Sequence, residues 1–204
     1  MSVQLAFSDI ELSANTVTLV PLQKSHADEL VALAAAHNMS SIWFSQVPSK
    51  DTIVDYMSVA MEQKNTGSAL PFAVIENKTG KLVGTTRYCH ADFTHRRFEI
   101  GYTWYGEAYQ RTAVNTECKL LLLGYAFENL NAIAVEFRTH WHNHKSRAAI
   151  ARLGAKQDGV LRNHSIHPSG ELRDTVVFSI ISSEWPVVKK SLIYKQQQYR
   201  QIDS

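Results

Sequence analysis

One helical segment, between Asn115 and Leu130, constrains the fold of this 204-residue chain more than any other feature. Apolar residues recur there at spacings of three and four, and further apolar residues widen the stripe until it covers most of the helix surface. Such a helix must be covered on several sides, so we expect it to pack against a β-sheet. Its apolar residues are Cys118, Leu120, Leu121, Leu122, Leu123, Tyr125, Ala126 and Phe127.

The length and the hydrophobic content of the chain suit a single globular domain. Hydrophobic residues make up 45% of the sequence, which is close to the average of folded domains. A chain of this length buries roughly 70% of its extended surface on folding, which is enough for a sizeable core. We therefore expect one domain over residues 1–204, with a core from about 16 to 185 and a polar tail from 195 to 204.

The charge balance and the cysteines exclude several classes of protein. The 21 lysines and arginines stand against 19 acidic residues, so the chain lacks the basic excess of a protein that binds nucleic acid through many phosphates. No apolar run approaches the ~20 residues of a membrane span, and residues 1–12 do not have the order of a signal peptide. Cys89 and Cys118 are far apart without a CxxC partner, which favours a reducing compartment. We expect a cytoplasmic protein.

The order of the predicted elements indicates an α/β fold built on one mixed sheet with helices on both faces. Strands are predicted from alternating hydrophobicity and helices from the three-and-four spacing. Gly154 stands where a left-handed helix C-cap belongs, and Pro168-Ser169-Gly170 is the turn of a second hairpin. The predicted elements are strand 17–22, helices beginning near 25 and 51, strands 70–75, 82–88 and 98–104, helix 115–130, strand 133–138, helix 146–153, strands 160–166 and 172–181, and a last helix that leads into the tail.

The segment from Glu99 to Glu117 is the strongest indication of a ligand site. A strand runs there into the loop Gln110-Arg111-Thr112-Ala113-Val114-Asn115 and then directly into the long apolar helix. The first amides of a helix lack carbonyl partners, and the helix dipole adds roughly half a positive charge, so this junction is suited to hold a phosphate. An ordinary strand-to-helix junction is the alternative interpretation.

Several sequence runs resemble the GNAT superfamily of N-acetyltransferases. They are FEIGYTW followed by YQRTAVNTECKLLLLGYAF, then AVEFRTHW, and then NHKSRAAIARLGA. The spacing Asn143-x-x-Ser146, the run from Arg152 to Ala155 and the run from Arg173 to Ile180 are most similar to the RimJ/RimL type, the ribosomal-protein N-terminal acetyltransferases. The resemblance extends roughly from Thr16 to Trp185 and implies the GNAT fold.

The resemblance also implies direct transfer of an acetyl group from acetyl-CoA, as a co-substrate, to a primary amine. The acceptor is then a protein N-terminus, such as that of a ribosomal protein, or a peptide, or a small amine. The family's pyrophosphate loop, Q/R-x-x-G-x-G/A, falls on residues 110–115, where Ala113 and Asn115 replace the two glycines. The Cβ of Ala113 crowds the phosphates unless its backbone stays right-handed, and Asn115 or Thr116 is expected to cap the helix.

The residues that the resemblance assigns to acetyl-CoA lie on the strand, on the loop and at the next helix. Backbone groups of three strand residues hold the pantetheine, the loop holds the pyrophosphate, Asn143 fixes the pantetheine arm and Ser146 lies near the thiol. The alternative for Asn143 and Ser146 is plain helix capping. The full set is Thr103, Trp104, Tyr105, Gln110, Arg111, Thr112, Ala113, Val114, Asn115, Asn143 and Ser146.

Three residues are candidates for catalysis, because the reaction needs a base for the amine and a proton donor for the leaving thiolate. Glu99 matches the strand glutamate that acts as general base in the histone-modifying members; its alternative is a solvated strand carboxylate. Ser146 matches the serine near the thiol in the RimL type, while the family's tyrosine falls on Ile150. His164 stands near the position of a RimL-type glutamate and is suited to act as the base. Its alternative is a pairing with Asp174 across the hairpin.

Two other interpretations compete with the enzyme. The two lost glycines suit a non-catalytic module that binds or senses acyl-CoA. His140, His142 and His144 alternate, and with His164 or His167 they have the residue types of a zinc site. The helix expected from residue 143 onward turns His144 away from the others, so we expect no metal. The acceptor and the oligomeric state, a homodimer included, stay open.

Overall fold

The computed structural model describes residues 7–36, 39–44, 47–167 and 170–202, with side chains as far as residue 199. Eight strands and five α-helices follow one another in this part of the chain. The strands are β1 (Leu12–Ser13), β2 (Val17–Pro21), β3 (Leu70–Glu76), β4 (Leu82–Asp92), β5 (Arg97–Tyr105), β6 (Ala134–His140), β7 (Lys156–Ile166) and β8 (Leu172–Ile181). The helices are α1 (Ala27–Ala35), α2 (Ile53–Asn65), α3 (Ala113–Gly124), α4 (His144–Leu153) and α5 (Trp185–Ile202), with a π-helical turn at Tyr125–Asn129 directly after α3.

The eight strands form one sheet in the order β1-β2-β3-β4-β5-β6-β8-β7. Each neighbouring pair is antiparallel except β5 and β6, which are parallel. Helices α1 and α2 cover one face through a smaller apolar cluster, and α3, α4 and α5 cover the other face through the main core. The prediction of a mixed sheet with helices on both faces is confirmed. The two sides are called the α2 face and the α3 face below.

Most predicted elements are present, with some ends shifted. Gly154 has a φ of 103° and ends α4 as a left-handed C-cap, as predicted. Residues 195–202 continue α5 instead of forming a separate polar tail, because the buried Leu192 anchors that helix and glutamines and lysines favour helix once it has begun. Pro168 and Ser169, in the turn of the second predicted hairpin, lie outside the described residues. Within the described part of the chain, no helix combines the length and the apolar character that crossing a bilayer requires.

Helix α3 is buried, as its apolar circumference predicts. Cys118 and Leu122 are fully inaccessible to solvent. A buried carboxylate on the same helix, Glu117, accepts hydrogen bonds through Oε2 from the backbone N–H groups of Thr16 at 2.6 Å and Val17 at 2.9 Å. These bonds satisfy the polar group and fix α3 against the start of β2.

A gap opens in the middle of the sheet because β5 and β6 pair over three residues only. Their parallel partners run from Arg97 with Ala134 to Glu99 with Glu136. Beyond Glu99, β5 continues to Tyr105 without a partner in β6. The backbone groups along that edge of β5 therefore need hydrogen-bond partners from a ligand or from water.

A β-bulge follows in β5, directly after the point where the gap opens. The register shifts between Thr85 and Arg87, so that Tyr102 and Thr103 together oppose Thr86. Tyr102 accordingly has a positive φ of 51°. An extra residue inverts the alternation of side chains along a strand. Tyr102 therefore contacts Arg87 on the α2 face, whereas Thr103 bonds to a lysine of α3.

Candidate active site

The N-terminus of α3 is capped by Thr112. Its hydroxyl oxygen accepts the backbone N–H of Val114 at 3.3 Å, and the hydroxyl donates to the carbonyl oxygen of Tyr109 at 2.7 Å. The prediction that Asn115 or Thr116 caps this helix is wrong, because the helix begins at residue 113 and both residues lie within its first turns. The first turn of α3 still presents backbone N–H groups without carbonyl partners, as an anion site requires.

The loop before α3 accommodates its alanine without strain. Ala113 is the first helical residue and keeps a right-handed backbone, so its Cβ does not occupy a position that demands glycine. The left-handed residue of the loop is Arg111, with a φ of 62°. Gln110 ties the loop to the sheet, since its side-chain amide donates to the carbonyl oxygen of Tyr105 at 3.1 Å.

The three strand residues predicted to hold pantetheine lie on β5 beside the gap. The Trp104 side chain is buried in the cluster on the α2 face, while that of Tyr105 is buried in the main core on the α3 face. Thr103, the residue before Trp104, is half-buried. Because the side chains of Trp104 and Tyr105 are occupied in packing, only their backbone groups are left for the gap.

Asn143 and Ser146 lie at the start of α4, directly after β6. Oδ1 of Asn143 accepts the backbone N–H of Ser146 at 3.0 Å, so Asn143 is the N-cap of α4. The capping interpretation is therefore correct for Asn143, and its Nδ2 donors are not used in the cap. The hydroxyl of Ser146 is half-buried and has no hydrogen-bond partner among the described residues. Both residues follow the strand that borders the gap on its second side.

Glu99 lies at the point where β5 and β6 separate. Its side chain extends on the α2 face and the residue is only 7% exposed, so the interpretation as a solvated carboxylate is wrong. Oε2 accepts a hydrogen bond from Nδ1 of His90 at 2.9 Å and forms an ion pair with Nε of Arg138 at 3.3 Å. The Glu99 carboxylate also holds the pKa of His90 above its ordinary value, chiefly through that hydrogen bond. The carboxylate is thus fixed in place at the apex of the gap.

A glycine makes the space for this carboxylate. A Cβ on Gly101 would lie 3.3 Å from Oε1 of Glu99 and 3.1 Å from Sγ of Cys89. Both distances are tighter than ordinary contacts, so a side chain at this position would displace one of the two groups. Burial raises the pKa of the Cys89 thiol well above its usual range, which keeps the thiol protonated and unreactive at neutral pH.

His164 lies away from the gap, on β7. Its Nδ1 is 3.1 Å from the hydroxyl of Thr175. The alternative pairing with Asp174 is wrong, because that carboxylate instead accepts from Nε of Arg162 at 2.5 Å and from the backbone N–H of Asn163 at 2.7 Å. Three strand spacings separate β7 from β5 in the sheet, or about 14 Å. The fold therefore does not bring the two candidate bases together.

Several charged residues of the site have no signal in the sequence. Arg87, Arg138 and Arg173 line the α2 face of three different strands, and each has a buried guanidinium nitrogen without a hydrogen bond. Of the three arginines, Arg138 forms an ion pair with the Glu99 carboxylate, and Nδ1 of His90 lies 2.9 Å from the same carboxylate. Single arginines in alternating strands are indistinguishable from solvated surface residues until the sheet order places these strands side by side.

The α3 face of the bulge carries a different buried cation, Lys119. Its Nζ donates to the hydroxyl of Thr103 at 2.7 Å, and Thr86 lies at 3.5 Å. Lys119 is 4% exposed, and burial lowers its pKa from 10.5 to about 8. The sequence pattern does not indicate a buried cation at position 119, because a single lysine does not change the prediction that this apolar helix is buried.

The histidines suggested for zinc are engaged elsewhere. Nδ1 of His140 accepts the backbone N–H of His142 at 3.1 Å, and the two rings pack against Trp43 with centroid distances of 4.9 and 5.8 Å. Burial lowers the pKa of His140. His144 begins α4, as expected. Among the described residues, the closest set of potential ligand atoms belongs to the thiol, imidazole and carboxylate of residues 89, 90 and 99, whose atoms lie within 4.8 Å of one another.

Known proteins resemble this chain in sequence and in fold. The pattern of the acetyltransferase (GNAT) domain family matches residues 16–156. The Bacillus subtilis protein named "Putative ribosomal N-acetyltransferase YdaF" is 31% identical over 106 residues, which cover 52% of this chain and 57% of that protein. A solved GCN5-related N-acetyltransferase from Brucella melitensis is 28% identical with a TM-score of 0.80, covering 93% of this chain and 86% of that one.

A further likeness concerns the fold alone. Mycobacterium smegmatis RimJ, solved in complex with CoA-disulfide, has a TM-score of 0.74 at 19% identity and covers 92% of this chain and 93% of that one. The family pattern spans more than half of the sequence and includes the split sheet, the loop before α3 and the start of α4. The chain therefore belongs to the acetyltransferase (GNAT) family, and it resembles in sequence a relative that is named as a ribosomal N-acetyltransferase.

Proposed function

We propose that this chain transfers the acetyl group of acetyl-CoA directly to the primary amine of a protein N-terminus. One observation carries the proposal: the sheet splits at Glu99, with a buried carboxylate at the apex of the gap. The N-terminus of α3 follows β5 after a loop of seven residues, and the Asn143 cap follows β6. The gap therefore has a binding segment on each side and a base at its closed end.

Backbone groups do most of the proposed binding of the co-substrate. The N–H groups of residues 110–115 and the dipole of α3 supply positive field to the pyrophosphate. Backbone groups of residues 103–105 that have no partner in β6 bond to the pantetheine arm, apart from the Tyr105 carbonyl oxygen that Gln110 occupies, and the Nδ2 of Asn143 holds the arm from the second side of the gap. This arrangement suits a chain with a net charge of only +2, because it needs no cluster of lysines.

Glu99 is the proposed base of the reaction. It accepts a proton from the attacking ammonium, directly or through one water, and the amine then forms the C–N bond while the C–S bond to CoA breaks. The thiolate that leaves takes a proton, and the Ser146 hydroxyl is the proposed donor to it. Ile150, where the family has a tyrosine, is buried in the core and has no proton to offer.

The choice between Glu99 and His164 is decided by two matched variants. Glu99→Gln is expected to lower kcat by about 10²- to 10⁴-fold, the usual contribution of a general base, while the affinity for acetyl-CoA is kept. His164→Ala is expected to change kcat by less than about threefold, because this exposed ring lies on β7, away from the gap. The reverse result would identify His164 as the base. If neither variant is impaired, water accepts the proton of the amine.

Catalysis and mere binding of acyl-CoA are separated by two measurements on the unaltered protein. Thermal unfolding is followed with acetyl-CoA and with CoA, since a ligand that binds the native state raises Tm. Release of free thiol is then followed with peptides that have a free N-terminus, with the same peptides N-terminally blocked, and with small diamines. Stabilisation without thiol release from any amine would favour the non-catalytic module. Ser146→Ala is expected to slow turnover at unchanged CoA affinity.

The acceptor class is supported by the relatives rather than by the site. The B. subtilis relative is named as a ribosomal N-acetyltransferase, and that match covers 57% of its length. We infer that the acceptor is the N-terminus of a ribosomal or other cytoplasmic protein. Acetylation of the free N-terminal peptides in the panel, with none of the blocked peptides and none of the diamines, is the result expected.

A further inference from the structure

A cavity of about 440 Å³ lies on the α2 face, between the start of α2 and the bulge of β5. Its walls include Ser49 and Thr52 from the segment before α2, Tyr56 from α2, Arg87 from β4 and Tyr102 from the bulge. The bulge matters here, because without the extra residue the Tyr102 side chain would fall on the opposite face of the sheet. The β-bulge that follows the opening of the gap therefore also supplies one wall of the cavity.

Arg87 in the wall of this cavity is a buried cation without a counter-charge. It is 1% exposed, and it forms no ion pair with any carboxylate in the described part of the chain. Its Nη1 donates to Oε1 of Gln63 at 2.8 Å, while Nε and Nη2 have no hydrogen-bond partner. The hydroxyl of Tyr56, in the same wall, also has no partner.

Aromatic rings offset only part of the cost of this charge. The Arg87 guanidinium carbon lies 4.1 Å from the ring centroid of Tyr102 and 5.5 Å from that of Tyr56. Cation–π contacts stabilise a cation but supply no hydrogen-bond acceptors. Asp55 also lines the cavity, yet it is solvent-exposed and makes no ion pair with the arginine. A desolvated guanidinium with two idle donors is suited to an incoming carboxylate, which accepts them in pairs.

The cavity is adjacent to the proposed base. Arg87 pairs with Gly101 and Cys89 pairs with Glu99, so Arg87 and Glu99 are diagonal neighbours on the same face of adjacent strands, with Cα atoms about 7–8 Å apart. A carboxylate at Arg87 therefore leaves room for an amine of the same molecule to reach Glu99. Arg138 and His90 balance the charge of Glu99, which reduces its repulsion of a second carboxylate.

We propose that the acceptor carries a carboxylate within a few bonds of its reactive amine, and that Arg87 and the Tyr56 hydroxyl bind this carboxylate. The inference rests on the proposed function and names its substrate class. Two sources share this chemistry: an acidic side chain among the first residues of a peptide, and the carboxylates of a free acidic amino acid. Arg87 is a specificity residue in this proposal, because it contacts the acceptor but not the reacting atoms.

The first experiment compares acceptors that differ by one charge. Five-residue peptides with a free N-terminus carry aspartate or glutamate at the second or third position, and matched peptides carry asparagine or glutamine there. Free L-aspartate and L-glutamate are compared with their amides. The better acidic acceptor is expected to exceed its amide by about 10- to 100-fold in kcat/KM, the value of a charged hydrogen bond. Whether the peptides or the free amino acids show this preference identifies the source.

The second experiment removes the cation. Arg87→Gln is expected to raise KM for the acidic acceptor by a similar 10- to 100-fold, with kcat at saturation nearly unchanged and the amide acceptor unaffected. Arg87→Lys keeps the charge without the fork of donors and is expected to lose only part of the preference. Lys190→Gln removes the same charge from an exposed position on α5, on the opposite side of the sheet, and is expected to change nothing.

A binding measurement tests the inference even where no turnover is found. Glutarate, which has no amine, is expected to raise the Tm of the unaltered protein and of Lys190→Gln in a saturable way, but not the Tm of Arg87→Gln. Glutaramide is expected to raise none of them. Equal turnover of acidic and amide acceptors would overturn the inference while leaving the proposed function intact. Stabilisation by glutarate without acetylation of any amine would support carboxylate binding at Arg87 and contradict the proposed function.

Discussion

Two buried cations on opposite faces of the same strand pair have opposite environments. Lys119 on the α3 face donates to the hydroxyl of Thr103, and Thr86 lies beside it, so the fold itself supplies its acceptors. Arg87 on the α2 face donates to one glutamine and has two nitrogens without any partner. The cation that the fold satisfies lies against the helix, and the cation that it leaves unsatisfied lines a cavity.

The difference is consistent with the α2 face as the proposed substrate side. A buried lysine can release its proton, and burial has already lowered the pKa of Lys119 to about 8. An arginine side chain does not release its proton in proteins, so a buried guanidinium is stabilised by an anion. The α2 face also holds the carboxylate of Glu99, whereas the α3 face is filled by the apolar core. Each prediction below is designed to test this asymmetry.

The largest expected effect on stability is that of Lys119→Met. The unfolded chain binds a proton at this lysine up to a pKa near 10.5 and the folded chain only up to about 8, so folding is penalised below pH 8. The penalty is fully present at pH 7, declines as pH rises from 8 to 10.5, and is absent above. The variant is therefore expected to be more stable than the unaltered protein by up to about 3 kcal/mol at pH 7.

Urea unfolding at pH 7 and at pH 10 measures this difference. The gain is expected to shrink at the higher pH, while the hydroxyls of Thr86 and Thr103, 2.7 Å apart, satisfy one another in the variant. Lys190→Met, at an exposed position of α5, serves as the control for the lost charge. A gain of the same size at both pH values would show that packing, and not protonation, is the cause.

Gly101→Ala tests how tightly the α2 face holds the proposed base. The added Cβ would lie 3.1 Å from the Cys89 sulfur and 3.3 Å from the Glu99 carboxylate, so we expect a loss of about 1–2 kcal/mol and a lower kcat. Gly159→Ala is the matched control, since nothing lies within 4 Å of its added Cβ. Thermal unfolding and turnover are measured on both variants. An unimpaired Gly101→Ala would mean that Glu99 is free to move.

Arg87→Gln is expected to stabilise the folded chain by about 1 kcal/mol in the absence of acceptor. It removes a buried charge without a partner, although the contacts with the two tyrosine rings are lost. Urea unfolding in the absence of acceptor measures this gain. A loss of stability would assign Arg87 a structural role.

The smallest effect is expected for His90→Ala. The Glu99 carboxylate raises the pKa of this histidine, so the stabilisation is complete below pH 6.5 and is lost as pH rises through the higher pKa of the folded state. The imidazole is two-thirds exposed, which limits the loss to a few tenths of a kcal/mol at pH 6. Unfolding at pH 6 and pH 9 gives the comparison, and a larger loss at pH 9 would contradict the assigned charge pair.

Local patterns in the sequence predicted the elements well. The strand at 98–104, the loop at 110–115 and the apolar helix after it are all recognisable from short-range spacing, because each depends on neighbours within one turn or one strand. Asn143 followed by Ser146 likewise identified the start of α4. The error in the cap of α3, which is Thr112 and not Asn115, amounts to three residues along the chain.

The surroundings of Glu99 were not predictable in the same way. Arg87 and Arg138 come from strands on either side of β5, and His90 lies in β4 at a positive φ of 48°. No periodic pattern indicates that these groups meet, because the contact depends on strand order and register. The bulge at Tyr102 could not be predicted either, because the alternation of hydrophobic and other residues continues through it as in a regular strand.

The sequence by itself determined the element order, the burial of α3 and the family, since propensity, hydrophobic period and motif spacing are all local properties of the chain. Only the tertiary structure decided which side chains lie together on each face of the sheet. The parallel pairing of β5 and β6 ends at Glu99, and the extra residue in β5 then places Tyr102 beside Arg87 and Thr103 beside Lys119. A one-residue shift in register exchanges the two faces of a strand, and register is set by the whole sheet.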